Sequence, residues 1–86
     1  MLTDKISSKQ LLNKTVLSKS GRKFGEVGDL VFETRTGEII YLLLTKPTGF
    51  AKSFDLEKDK EGYYKIPFNA VIAVGDYIVV EEEDIV

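Results

Sequence analysis

Lys23-Phe24-Gly25-Glu26-Val27-Gly28-Asp29-Leu30-Val31-Phe32-Glu33, Thr34-Arg35-Thr36-Gly37, Glu38-Ile39-Ile40-Tyr41-Leu42-Leu43-Leu44-Thr45: the reading of this stretch decides the fold. It predicts a β-hairpin. Lys23 to Glu33 form the outgoing strand, Thr34 to Gly37 the turn and Glu38 to Thr45 the return. A strand with one wet face alternates apolar and polar residues. The run Ile39 to Leu44 is apolar throughout, so it needs an apolar environment on both faces. One is a core; the other is a second layer, a loop or another chain. Gly25 and Gly28 interrupt the outgoing strand, as glycines do at bulges and at bends where another backbone passes closely. Two of them so near each other suggest a strand coiling around a small barrel.

Working outward, Ile6-Ser7-Ser8-Lys9-Gln10-Leu11 has the form of a helix start. Ser7 is the expected N-cap, Gln10 its capping-box partner, and Ile6 and Leu11 the two sides of a hydrophobic staple. The helix is short, Ser8 to Leu12, because β-branched Thr15-Val16 open a strand that runs to Ser18. Lys19-Ser20-Gly21-Arg22 is a turn with Gly21 at positive φ. After the hairpin, residues 46–62 form a connection long enough to be functional or mobile, with Phe50, Phe54 and Leu56 among its charges. Tyr63 to Ile66 is a strand ended by Pro67, and Ala70 to Val74 is another. Gly75-Asp76 suits a type II′ turn into a last strand, Tyr77 to Val80, followed by the acidic residues 81–84. Five to six short strands with one short helix make an all-β protein, a small antiparallel β-barrel; an SH3-like or split sheet would look much the same from sequence.

The composition narrows the function. At 86 residues the chain reads as a single domain, 1–86. So short a chain buries only about 60% of its unfolded surface and gains from association. It contains no His and no Cys, which removes the usual general base, the commonest metal ligand and thiolate chemistry. A net charge of −2 lacks the basic footprint of bulk nucleic-acid binding. No apolar run is long enough to span a membrane, and the first residues, Met1-Leu2-Thr3-Asp4, start no signal peptide. The expectation is a soluble cytoplasmic protein.

Leu12-Asn13-Lys14-Thr15-Val16, Gly21, Phe24-Gly25-Glu26-Val27-Gly28-Asp29 and Thr36-Gly37-Glu38-Ile39 stand here in a telling order. With them go Tyr63-Tyr64-Lys65-Ile66-Pro67-Phe68 and Ala73-Val74-Gly75-Asp76-Tyr77-Ile78-Val79-Val80. Together they resemble the PRC-barrel family over nearly the whole chain, and most closely its short, stand-alone archaeal members. The resemblance implies a small barrel that binds proteins or helps assemble complexes without catalysis. It also implies a homodimer akin to the archaeal cell-division adaptors that join the membrane-anchoring partner of the division ring. Ribosome-maturation relatives keep an RNA- or ribosome-associated accessory barrel as the alternative.

Candidate chemistry is sparse. Asp55, Glu57, Asp59 and Glu61 place oxygens at alternate positions, but Gly62 falls where no calcium loop needs it and Lys58 and Lys60 intervene. A solvated, self-paired loop is the plainer reading. Asp29 is an acid in an apolar strand with no neighbouring partner for catalysis, so it is expected to point outward or to bond a turn backbone. Gly25-x-x-Gly28 lacks the following helix N-terminus that makes a phosphate loop work. Lys19, Arg22 and Lys23 form a basic corner too small for strong RNA binding. No catalytic, cofactor-binding or metal-ligating set emerges, and glycines 21, 25, 28, 37 and 75 are read as turn and bend residues.

The apolar excess is the positive signal. In the resembling family a polar residue often stands at the position of Tyr41 and a charged one at that of Ile72. With strand alternation, this places Ile40, Leu42, Leu44, Val71 and Ala73 inside and Ile39, Tyr41, Leu43 and Ile72 outside, as an exposed patch for a partner. Phe50 and Phe54, four apart, either plug a barrel end or serve as partner anchors. The expected partners are a second copy of the chain and another protein, with the division site as the expected location.

Overall fold

The structure, a computed structural model, describes residues 8–85. The expected cap at Ser7 and staple residue Ile6 lie outside the described residues. The chain runs α1 (Ser8–Leu11), β1 (Thr15–Ser18), β2 (Lys23–Phe32), β3 (Ile39–Thr45), α2 (Gly49–Lys52), β4 (Tyr64–Pro67), β5 (Val71–Val74) and β6 (Tyr77–Val80). Single 3-10 turns follow β4 at Phe68–Ala70 and β6 at Glu82–Asp84. The fold is all-β, as the hairpin and its flanking turns predict.

The six strands form one sheet in the order β4-β3-β2-β1-β6-β5. Neighbours are antiparallel except β1 and β6, which run parallel with Thr15 beside Tyr77 and Ser18 beside Val80. That pairing joins the two ends of the chain, and no local turn announces it. Among the described residues no ladder joins β4 to β5, so the sheet curls around its core without closing by hydrogen bonds. Inward side chains from all six strands meet in one cluster: Val16, Phe24, Val27, Leu42, Leu44, Ile66, Val71, Ile78 and Val80, with Leu11, Ala51 and Ala70.

Bulges set which residues face that core. In the β2–β3 ladder Tyr41 pairs with Val31 and Ile39 with Phe32, leaving Ile40 as an extra residue. An extra residue resets the alternation of a strand. Ile40, expected inside, is therefore 38% exposed, and Ile39, expected outside, packs against the core. In the β5–β6 ladder Val71 pairs with Val80 and Ala73 with Val79, so Ile72 is the extra residue. Ala73, expected inside, is exposed, and Val74 takes the inner position instead. Leu42 and Leu44 lie inside, below the first bulge.

The glycines of β2 sit under the far end of β3. A Cβ on Gly28 would lie 2.1 Å from the Thr45 methyl, and one on Gly25 would lie 2.8 Å from the Thr45 carbonyl oxygen. Gly21 and Gly37 take positive φ, 93° and 76°. Gly75 does not, so its turn is not the expected type II′.

Residues 46–62 are largely built into the barrel. Thr48 caps α2 by accepting from Ala51 N at 3.2 Å, and its own N–H donates to the Phe24 carbonyl at 3.0 Å. This holds Phe50 and Phe54 over Phe24, with ring centroids 4.9 and 5.3 Å from it and 5.2 Å from each other. The three rings thus form one aromatic cluster beside β2. The chain then returns beside β4, where Lys65 N donates to Glu57 O at 2.8 Å and Asp59 N to Tyr63 O at 2.9 Å.

Candidate interaction surface

On the outer face of β3, Leu43 pairs with Asp29 on one side and Lys65 on the other. Tyr41 pairs with Val31 and Pro67. Lys65 bends over Tyr41, its Nζ 5.0 Å from the ring centroid, and long cationic stems of this kind cover apolar surface well. Leu43, expected to be exposed, is only 5% exposed within the single chain. Leu43 lies on a central strand, flanked by β2 on one side and β4 on the other. The expected patch of Ile39, Tyr41, Leu43 and Ile72 is therefore not contiguous. Ile39 and Leu43 are covered, Tyr41 is half-buried, and Ile72, 47% exposed, stands on the opposite edge of the sheet.

Phe32 and Ile40 stay exposed at the turn end of β2 and β3, and further apolar surface lies on the other half of the sheet. Val16, Ser18, Ile78 and Val80 point inward and are buried, so Thr15, Leu17, Tyr77 and Val79 point outward. The parallel pairing sets Leu17 beside Val79, and β5 sets Ala73 on the other side of Val79. Tyr77, 55% exposed, stands beside Thr15. Leu17, Val79 and Ala73 thus form a row across three strands, with Tyr77 and Ile72 at its margins. Lys23 and Glu26, which pair with Leu17 and Thr15, form its charged rim. The strand Tyr77-Ile78-Val79-Val80 carries the same two-faced apolar signal as Ile39 to Leu44, and β1 adds the adjacent pair Val16-Leu17.

The other candidates have local structural roles. Asp59 Oδ1 accepts from Glu61 N at 3.0 Å and Tyr63 N at 2.9 Å, which ties the acidic loop to itself. Asp29 Oδ1 is exposed and accepts from Leu30 N at 2.8 Å. Among the described residues no three His, Cys, Asp or Glu side chains gather as a metal site. Of the basic corner, the Arg22 guanidinium stacks 4.2 Å over the Phe50 ring and Lys19 pairs with Glu81 at 3.2 Å. Among the described residues no helix is long and apolar enough to cross a membrane.

The sequence pattern of the PRC-barrel domain matches residues 3–84. The chain belongs to the PRC-barrel family. The PRC barrel is a protein-interaction fold and generally a non-catalytic one. The chain is also similar to Uncharacterized protein MJ1118 of Methanocaldococcus jannaschii, with 23% identity over 82 residues, covering 95% of this chain and 88% of that protein.

In this PRC barrel both ends of the open face are clamped. Lys14 Nζ donates to Gly75 O at 2.6 Å. At the other end Glu82 accepts from Lys19 N at 3.0 Å and from the Ser20 hydroxyl at 3.2 Å. Hydrogen bonds from its own backbone N–H, then from Lys19 N and Ser20, hold the Glu82 carboxyl below its ordinary pKa. The Glu81 carboxylate holds Lys19 above its ordinary value through a hydrogen bond and its charge. A carboxylate depressed on folding stabilises the fold above its unfolded pKa, and that contribution is lost as pH falls through the lowered value. A raised lysine stabilises below its unfolded pKa, and its contribution is lost as pH rises through the raised value. Urea midpoints of the unaltered chain and Glu82→Gln, measured across the acid range, are therefore expected to converge as pH falls. A gap that stays constant with pH would show that the carboxylate charge is not what the clamp uses.

Proposed function

We propose that this PRC barrel is a non-enzymatic assembly adaptor that works as a homodimer in the cytoplasm. It joins other proteins of an archaeal cell-division machinery, the membrane-anchoring component of the division ring among them. The observation that carries the reading is the row Leu17–Val79–Ala73, half-buried at Leu17 and Val79 and exposed at Ala73, with exposed Tyr77 and Ile72 at its margins. Apolar surface rimmed by charge, left open on so small a domain, is the mark of an interaction site. The family's interaction fold and the resemblance to the short archaeal members support the same reading. The RNA- or ribosome-associated alternative would rest on the basic corner, where Arg22 stacks on Phe50 and Lys19 pairs with Glu81.

The test is capture with the tagged chain from cells of the native organism, followed by direct titration of the recovered protein. Tyr77→Glu is expected to weaken that binding by about tenfold or more, as loss of an aromatic anchor does. The tagged chain is expected to concentrate at the division plane. A partner held equally by Tyr77→Glu, or a chain dispersed through the cell, would count against the reading.

A further inference from the structure

The sheet has two edges, and among the described residues only one is covered. Along β4 the segment 57–59 runs beside the strand, with Lys65 N bonded to Glu57 O, Asp59 N to Tyr63 O and a bridge between Lys58 and Tyr64. Along β5 no described segment pairs on the side away from β6. Its sequence, Val71-Ile72-Ala73-Val74, holds no charge and no proline. Protected edges usually carry lysine, proline or an inward charge. This edge carries a bulge, but the bulged residue is Ile72, 47% exposed, and its neighbour Ala73 is exposed as well.

We infer that β5 pairs antiparallel with β5 of a second copy of this chain, joining two six-stranded sheets into one across a two-fold axis between Ile72 and Ala73. The inference rests on the homodimer part of the proposed function and names its surface. The uneven edges decide the occupant. A head-to-tail contact would need the β4 edge of one copy to meet the β5 edge of the next, and the β4 edge is already bonded. Between copies of this chain, the open edge then has its own counterpart as its free match, which gives a closed pair and not a filament. The pairing is electrostatically neutral. With the axis between Ile72 and Ala73, Asp76 comes opposite the second copy's Asn69, not opposite another acid. The edge is short, about 13 Å at about 3.3 Å per residue, and the bulge limits how far pairing extends. The outer row Ala73–Val79–Leu17 runs away from the seam on each copy and remains available to another protein.

Sedimentation equilibrium of the full chain, from low to high micromolar, tests this. The expected mass is twice the 9.7 kDa of the chain. Ile72→Lys with Ala73→Lys is expected to weaken the pair by about tenfold or more and return the mass to that of one chain, with thermal unfolding confirming that the variant is folded. Tyr41→Glu, on the far half of the sheet, is expected to leave the mass unchanged. Hydrogen exchange on the unaltered chain gives a readout that needs no variant: amides within 71–74 are expected to gain protection as concentration rises. A dimer unaffected by the lysine pair, or one without that protection, overturns the edge pairing but leaves the homodimer standing. A single-chain mass at high concentration overturns both.

Discussion

Phe24→Ala is expected to cost the chain about 3–5 kcal/mol, a large part of its stability. Phe24 is fully buried and is the extra residue of a bulge between β1 and β2, where Val16 pairs with Gly25 and Leu17 with Lys23. The bulge turns the ring inward, under Phe50 and Phe54. Truncating a buried Phe costs about 3–5 kcal/mol. A chain of this size has roughly 4–13 kcal/mol in total at 0.05–0.15 kcal/mol per residue. The loss extends beyond one cavity, because α2 rests on the rings and Arg22 stacks on Phe50 from outside. Urea unfolding followed by far-UV circular dichroism measures the effect. Phe24→Leu, which keeps much of the apolar volume, is expected to cost less than about 1.5 kcal/mol. Equal losses from Leu and Ala would show that ring geometry, not the cavity, controls this end of the barrel.

Gly25→Ala is expected to destabilise nearly as much, by a different route. An added Cβ would meet the carbonyl oxygens of Thr45 and Lys46 at 2.8 and 3.2 Å and the Pro47 Cα at 3.4 Å, at a φ of +156°. All three obstacles are backbone, so no side chain can rotate away. Close overpacking costs about 1–3 kcal/mol and a backbone held in a sparsely populated region a similar amount. The sum is about 3 kcal/mol or more, and each kcal/mol lowers Tm by about 4–8 °C in a domain this small. Gly21→Ala is the control. It also has positive φ, at 93°, but nothing lies within 4 Å of the added Cβ. Its cost is expected to be the conformational part alone, about 1 kcal/mol. Thermal scans of the two variants separate close approach from torsion; equal Tm values would remove the close-approach explanation.

Most of the fold is legible along the chain because its signals are local. Thr15 to Ser18 and Tyr77 to Val80 read as strands from β-branched and aromatic content, and both have those bounds in the structure. Gly21 and Gly37 mark turns because only glycine enters that backbone region without a Cβ penalty. Side-chain direction was less legible. Alternation places side chains correctly only while the ladder keeps its period of two, and bulges at Ile40 and Ile72 break it. A bulge depends on how two distant strands register, and the local sequence of either strand is compatible with both alternatives.

The candidate surface follows the same division. By itself the sequence determined an all-β chain with a short helical turn before its first strand, the sites of its turns and glycine bends, and a strand, Ile39 to Leu44, that demands apolar cover on both faces. Only the tertiary structure decided what supplies that cover. Leu43 is buried between β2 and β4 within the single chain, and residues 46–62 bring Phe50 and Phe54 onto Phe24. It also decided that an apolar row runs across β1, β6 and β5, because the parallel pairing of Leu17 with Val79 brings together residues far apart in sequence. Burial is a property of what lies across the sheet, and residues far apart in sequence become neighbours only when the ladder forms.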